Sequence, residues 1–241
     1  MARRGYRQYC GIARALDVLG ERWTLLIVRN LMLGPQRFKD LLDGLPGVGT
    51  NLLTTRLREL QRAGVVHRRN LAPPAASTVY ELTDYGRELE PVVFGLGRWG
   101  ARSLGQPGRE DVYQPAWLLL SLRALFQPER SSRIKETYEL RIDGEVFHAA
   151  VHDGAVRVER GAAIAPDLVV TCDSRTLLDV LSGNITAAQA GKGGRLSLIG
   201  TARTFARMQT LFPMPQPVDA TNHLRAPRDR RRIAAQETKT S

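Results

Sequence analysis

Thr50-Asn51-Leu52-Leu53-Thr54-Thr55-Arg56-Leu57-Arg58-Glu59-Leu60-Gln61-Arg62-Ala63 is the stretch on which the reading of this chain turns. Set at about 100° per residue, Leu53, Leu57 and Leu60 fall on one side of a helix, with Leu52 at its margin. Asn51, Thr54, Thr55 and Arg58 fall on the other. The leucine side predicts burial in a core. The opposite side carries short polar groups and an arginine, with no carboxylate at its centre and Glu59 on the flank. Such groups hydrogen-bond to base edges and phosphates, asparagine suiting adenine and arginine guanine. Thr50 is expected to cap the helix and Gly64 to end it.

Outward from this helix the pattern is regular. Residues 44–49 (GLPGVG) are a turn, and residues 36–43 (QRFKDLLD) a short amphipathic helix around Phe38, Leu41 and Leu42. Residues 22–33 predict a largely buried helix stopped by Gly34-Pro35, and residues 6–20 a helix through Ile12, Ala15, Leu16 and Leu19 broken by Gly20. Downstream, residues 65–71 and 78–83 alternate as two strands of a hairpin whose tip, Ala72-Pro73-Pro74-Ala75-Ala76-Ser77, cannot continue either. A last helix, 84–104, runs through Leu89, Val92, Val93, Leu96 and Trp99, capped by Thr83 or Asp84. This order is that of a mainly α winged helix-turn-helix, whose second paired helix enters the major groove. Gln36, Arg37 and Lys39 open the short helix, where backbone contacts fall. Arg68 and Arg69 stand on the hairpin, where a wing meets phosphate or minor groove. With Thr50, Asn51, Thr54, Thr55 and Arg58 they form the expected double-stranded DNA contact set. Any one arginine reads equally as a solvated surface charge; the group as a whole points to a duplex.

Charge supports this partition. The 241 residues carry a net charge of +11. Residues 1–105 hold +7 of it, residues 106–222 none and residues 223–241 the remaining +4. A local basic excess attracts polyanions, nucleic acid foremost. Hydrophobic residues make up 43% of the chain, enough for real cores. No apolar run is long enough for a membrane span, and residues 1–6 lack the apolar run of a signal peptide, so a cytoplasmic protein is expected. Cys10 and Cys172 stand far apart, and no disulfide is expected in that compartment. The four histidines make no zinc-ligand spacing, so neither metal nor cofactor is expected.

The front residues resemble the HxlR-type regulators. The likeness is carried by Cys10, by residues 15–27 (ALDVLGERWTLLI), by Leu31 with residues 34–41 (GPQRFKDL), by residues 53–60 (LTTRLREL), by Gly64-Val65-Val66, by residues 80–86 (YELTDYG) and by Trp99-Gly100. The resemblance spans about residues 8–103. It implies homodimers on inverted-repeat operators, with first and last helices forming the dimer through Tyr9, Ile12, Leu16, Leu96 and Trp99. Gly49 departs from the pattern, since many relatives cap the recognition helix there with serine. Cys10 matches a thiol-sensor position of some members, and Arg3, Arg4, Arg7 and Arg14 are at hand to lower its pKa. The plainer expectation is a half-buried residue at a dimer seam.

Behind a boundary at 106–108 (QPG), the pattern is a helix (116–126), strands (135–143, 145–152, 155–159, 167–172), two helices (176–181, 184–190), a strand (195–199) and a helix (201–212). Asp143-Gly144 and Asp153-Gly154 are hairpin turns. The expectation is an α+β domain with a meandering antiparallel sheet. The implied organisation is a DNA-binding domain (1–105), a linker (106–115), a second domain (116–213) and a basic, disordered tail (214–241). The second domain resembles the sterol carrier protein fold, through residues 138–144 (YELRIDG), 151–154 (VHDG), 166–173 (PDLVVTCD), 177–183 (LLDVLSG), 196–200 (LSLIG) and Phe205. That likeness implies an apolar tunnel. Inward spacing independently nominates Leu177, Leu181, Ile185, Ala188, Phe205 and Leu211 on helices, and Phe147, Val151, Val169 and Leu198 on strands, with small residues (Ala187, Ala190, Gly191) leaving room for a small hydrophobic ligand. The alternative is a simply packed core. No nucleophile elbow, phosphate loop or carboxylate pair suggests an enzyme. Gly191-Lys192-Gly193-Gly194 lacks the spacing of a phosphate loop and reads as a turn.

The expected function is a homodimeric regulator, a repressor rather than an activator because nothing resembles a polymerase-contacting surface. The rival readings are a hydrophobic-ligand carrier and a thiol sensor acting through Cys10.

Overall fold

The computed structural model describes residues 5–73, 76–104 and 111–216. Expectations placed on Arg3, Arg4, the boundary at 106–108 and the tail beyond Gln216 lie outside the described residues.

The front half runs α1 (Gly11–Leu19), α2 (Thr24–Leu31), β1 (Gln36–Arg37), α3 (Phe38–Asp43), α4 (Thr50–Arg62), β2 (Val66–Asn70), β3 (Thr78–Leu82), α5 (Asp84–Arg87) and α6 (Glu90–Ala101). Gln36 and Arg37 do not open a helix. They form a two-residue strand paired antiparallel with Tyr80 and Val79, giving a three-stranded sheet ordered β1-β3-β2. Gly34 turns the chain at φ +117°, and the Gln36 side-chain amide donates to the Asn30 carbonyl at 2.7 Å, holding this segment extended against β3. The last helix is two helices. Pro91 lacks an N–H and is tolerated only in a first turn, so the chain pauses at Glu88–Leu89 and restarts. Thr83 is the cap of α5, its hydroxyl accepting from the Gly86 amide at 2.9 Å. Gly86 is obligatory there, because a Cβ would meet the Val65 carbonyl oxygen at 2.1 Å.

Leu53, Leu57 and Leu60 of α4 are buried together with Ile27, Val28 and Leu31 of α2, Leu41 of α3, and Val65, Val66 and Leu82. Two helices and the sheet root therefore meet on one leucine stripe.

The rear half runs α7 (Trp117–Leu125), β4 (Lys135–Ile142), β5 (Glu145–His152), β6 (Ala155–Arg160), β7 (Leu168–Cys172), α8 (Ser174–Leu181), α9 (Ala187–Lys192), β8 (Leu196–Gly200) and α10 (Ala202–Leu211). Strands β4, β5 and β6 meander antiparallel as expected, but the sheet is mixed. Its order is β6-β5-β4-β7-β8, and β7 lies parallel to β4, Tyr138 opposite Leu168. The connection after β6 crosses back over the sheet. Its Ala163 amide donates to the buried Glu139 carboxylate at 2.8 Å, and the Asp167 carboxylate accepts from the Thr137 amide at 2.8 Å. β7 therefore starts beside β4 and runs with it.

Register puts Tyr138, Leu140, Ile142, Phe147, Ala149, Val151, Leu168, Val170, Cys172 and Leu196 on one face. Leu118, Leu119 and Leu122 of α7, Leu177 and Val180 of α8, Ala190 of α9, and Phe205, Met208 and Leu211 of α10 cover that face in a second core. Val169 stands opposite Glu139, and so lies on the other face rather than in this layer.

The two halves meet along α6 and α7. Arg123 Nη2 donates to Glu90 Oε1 at 2.5 Å, and Arg98 Nη1 to the Ala124 carbonyl at 2.8 Å. The Arg29 guanidinium lies 4.0 Å from the Trp117 ring centroid, and Leu33 packs on the rear core. Burial draws Arg29 down to about 10, so it still carries its charge at neutral pH.

Leu57→Ala should lower stability by about 2–5 kcal/mol, because it empties a fully enclosed site. Leu52→Ala, at the half-buried margin, should cost much less. Denaturant midpoints with unchanged m-values would verify both; equal midpoints for the two variants would contradict the packing described.

Candidate nucleic-acid interface

The leucine stripe fixes how α4 is rolled, and that roll decides what faces out. Thr50, Asn51, Thr55 and Arg58 are exposed, while Thr54 is half-buried. The hydroxyls of Thr54 and Thr55 donate to the carbonyls of Thr50 and Asn51, at 2.8 and 2.9 Å. These back-bonds leave each hydroxyl oxygen free to accept. Gly49, not Thr50, occupies the N-cap, and no side chain caps the helix. Thr50 is the first helical residue, so its hydroxyl is not used as a cap. The first-turn amides of α4 are thus unoccupied by any side-chain cap and lie at the positive end of the helix dipole, a favourable place for an anion.

Sequence reasoning passed over Arg62. It is exposed and follows Arg58 by four residues, so Asn51, Thr55, Arg58 and Arg62 make one continuous stripe. The signal is the four-residue spacing from Arg58, which alone places Arg62 on the same face. Arg56, by contrast, is turned inward and engaged with Glu21 and Glu59.

The flanks are less uniform than expected. Lys39 and Arg37 are exposed on and just before α3, while the Gln36 amide is occupied by Asn30. Arg68 is exposed on β2, with Nη2 3.5 Å from the Thr78 hydroxyl. Arg69 is engaged elsewhere: Nε and Nη2 grip the two oxygens of Glu81 at 2.5 and 3.1 Å, and His67 Nε2 lies 2.8 Å from the same carboxylate. β2 alternates, so Arg68 and Arg69 point to opposite faces, and cross-strand Glu81 claims the second. The Arg69 hydrogen bonds, aided by His67, hold the Glu81 carboxyl below its usual range.

Cys10 is exposed and sits at the N-cap of α1. Its thiol is drawn below the usual range by the backbone amides of Ala13 and Ile12 at the helix terminus. Arg14 is paired with Asp17. Cys172 is the opposite case: burial, then Asp173 and Asp143, push it up to about 12. Tyr9, Ile12 and Leu16 on or beside α1 and Leu96 and Trp99 on α6 are large apolar side chains open to solvent in the single chain.

In the rear half, Phe147, Val151, Leu177, Phe205 and Leu211 are buried together in the sheet–helix layer. Leu181 and Ile185 are half-buried at its border, and Leu198, on the last strand of the sheet, is 37% exposed. Ala188 faces solvent, and Ala190 takes the inward place on α9. A cleft of about 220 Å³ lies not in this layer but between the halves, lined in part by Leu31, Glu81, Glu90 and Arg123.

Acid should loosen the wing. Glu81 has a folded-state pKa below its usual value near 4.5. Its ion network therefore contributes fully above that value and is lost as pH falls through the lower folded value. Amide protection factors in β2 and β3, corrected for the intrinsic pH dependence of exchange, should fall below about pH 4.5 in the wild type, and Glu81→Gln should lower them at neutral pH and flatten the acid response. An acid response retained by Glu81→Gln would refute the assignment.

The HxlR-like helix-turn-helix family profile matches residues 18–107, and that of the SCP-2 sterol transfer family residues 120–213. An uncharacterized HTH-type transcriptional regulator of Synechocystis sp. is 37% identical over 101 residues, covering 42% of this chain and 75% of that protein. The HTH-type transcriptional regulator YodB of Bacillus subtilis is 35% identical over 94 residues, 39% of this chain and 83% of that one. The solved structure of reduced YodB aligns at 32% identity with a TM-score of 0.36, over 42% of this chain and 99% of that chain. With its winged-helix front and an SCP-2-like region behind it, the chain belongs to the HxlR-like helix-turn-helix family of transcriptional regulators.

Proposed function

We propose that this protein is a sequence-specific DNA-binding regulator, a repressor acting as a homodimer on an inverted-repeat operator. The observation that carries the reading is the exposed stripe Asn51, Thr55, Arg58 and Arg62 on α4, backed by buried leucines. Such a stripe offers donors and acceptors to base edges at its start and positive charge to phosphates at its end. The +7 charge of residues 1–105 supports it. Thr50, Arg37, Lys39 and Arg68 are the supporting contacts. Arg69 is released from the contact set because Glu81 holds it.

The dimer reading rests on α1 and α6. Tyr9, Ile12, Leu16, Val92, Leu96 and Trp99 are large apolar side chains exposed on or beside these two helices, the kind of surface that a partner copy would cover. Two recognition helices about one duplex turn apart then follow. The rear domain, residues 116–213, is the receiver for a small hydrophobic molecule. Its helix α7 is shared: Leu118, Leu119 and Leu122 belong to the rear core, while Arg123 and the Ala124 carbonyl bind α6. A molecule that spreads the sheet–helix layer moves α7 and, through α6, the dimer. It acts only as far as it favours one arrangement of the dimer over the other.

Selection of duplexes from a random pool, followed by titration, tests the reading. Arg58→Ala should cost about 1–3 kcal/mol of operator binding and relax one base position. Arg62→Ala should weaken all duplexes alike and reduce the salt slope by about 0.9. If the wild type enriches no sequence, the regulator reading falls. Leu16→Glu with Leu96→Glu should give a monomer by sedimentation and lose operator binding; a persistent dimer would place the seam elsewhere. Native mass spectrometry of the purified protein should detect a co-purifying apolar molecule that Leu177→Trp excludes. A strictly empty rear domain that takes up no fatty acid or sterol would remove the receiver role.

A second reading concerns Cys10, exposed at a helix N-terminus with its thiol pKa lowered. Peroxide should release operator DNA from the wild type but not from Cys10→Ser; equal release from both would dismiss it.

A further inference from the structure

Arg56 is the one arginine of α4 that is not presented to solvent, its side chain being 13% exposed. Nη2 donates to Glu21 at 2.7 Å and Nη1 to Glu59 at 2.7 Å, while Nε is buried without a partner. Glu59 is on α4 itself. Glu21 is thirty-five positions away, in the connector between α1 and α2. That connector is tightly formed. A Cβ at Gly20 would meet the Leu16 carbonyl oxygen at 2.6 Å, and Trp23 is held at φ +78° with its ring beside Gly47, in the turn that leads into α4. The connector thus touches the recognition helix at two places, its entry turn and its middle, and it is also the exit of α1, whose outer face is apolar and exposed.

We propose that Arg56 is a positioning residue for DNA recognition, and that the Glu21–Arg56–Glu59 clamp sets the roll of α4 against the α1–α2 connector. The inference rests on α4 being the recognition helix. Leu53, Leu57 and Leu60 hold the helix on the core, but an apolar stripe is non-directional and permits small rotations. A forked guanidinium between two carboxylates is directional and does not. A small roll is enough to misplace Asn51 and Arg58 against base edges, because their hydrogen bonds require distances of about 2.7–3.2 Å. The clamp also neutralises Glu59 beside the DNA face, and it ties the helix that reads bases to the helix that carries the dimer surface.

The test uses full-length protein, a duplex selected from a random pool, a scrambled duplex of equal length, and anisotropy titrations across a salt series. Glu21→Gln is the decisive variant. Glu21 is 63% exposed, so the fold survives its replacement. Removing its negative charge would, by electrostatics alone, tighten binding to every duplex. The clamp predicts the opposite for the operator: affinity should fall about tenfold, as for contacting charged pairs, while scrambled duplex binds as well as before or slightly better. Arg56→Lys keeps the charge but cannot fork between two carboxylates; it should lose operator affinity similarly, with the salt slope unchanged. The swap Glu21→Arg with Arg56→Glu should restore part of the loss. A slope lower by about 0.9 in Arg56→Gln, which removes the charge, would make Arg56 a phosphate contact instead. Unchanged operator affinity in Glu21→Gln, alongside a loss in Arg58→Ala, would overturn the clamp and leave the recognition helix standing. No loss in Arg58→Ala either would remove the recognition helix and the clamp together.

Discussion

Everything the front half presents to a duplex depends on the burial of three leucines. Leu53, Leu57 and Leu60 lie against α2, α3 and the root of the sheet, each essentially without exposed surface. Burying a leucine side chain is worth about 1.5–3 kcal/mol, so the stripe commits α4 to one face. The polar stripe opposite it is a geometric consequence. A helix cannot turn its leucines inward without turning Asn51, Thr55, Arg58 and Arg62 outward. Around this the lesser fixtures are local and directional. Gln36 ties β1 to α2, Thr83 and Gly86 turn the chain off the wing, and Asn30 donates to the Gly44 carbonyl ahead of the α4 turn.

The distribution of carboxylates gives the surface its sign. Around α4 four of them are engaged: Glu21 and Glu59 with Arg56, Asp40 with the Arg37 amide, and Glu81 with Arg69 and His67. On and around α4, Arg37, Lys39, Arg58, Arg62 and Arg68 are exposed and have no carboxylate partner among the described residues. Cations left without a carboxylate beside them steer a polyanion more effectively than the same charges paired.

The seam between the halves is built differently from either core. The two cores are apolar, but the seam carries Arg29 on Trp117, Arg123 on Glu90 and Arg98 on a carbonyl. Among the described residues Arg29 pairs with no carboxylate; the Asn30 side-chain oxygen and the ring face are its partners, and its desolvation is a standing cost. Contacts of this kind are oriented and individually modest.

Much of this was legible in the residues. The periodicity of 50–63 located both the buried stripe and the exposed one, because a regular helix converts sequence spacing into faces without help from the rest of the chain. Strand alternation and the Asp-Gly turns likewise gave β4, β5 and β6, since a hairpin is a local object. What escaped were non-local decisions. Nothing in the sequence around Arg69 says that Glu81 will claim it; that depends on cross-strand register. The parallel placement of β7 beside β4 is decided by a loop crossing over Glu139, and the removal of Val169 to the far face follows from it. The strand at Gln36–Arg37 exists only because β3 offers an edge, and Arg56 is a clamp only because the fold delivers Glu21 to it. Sequence by itself fixed which residues share a face, because that is backbone geometry within one element. Tertiary structure alone decided which charges remain free, because pairing is settled by whatever distant residue the packed chain brings within about 3 Å.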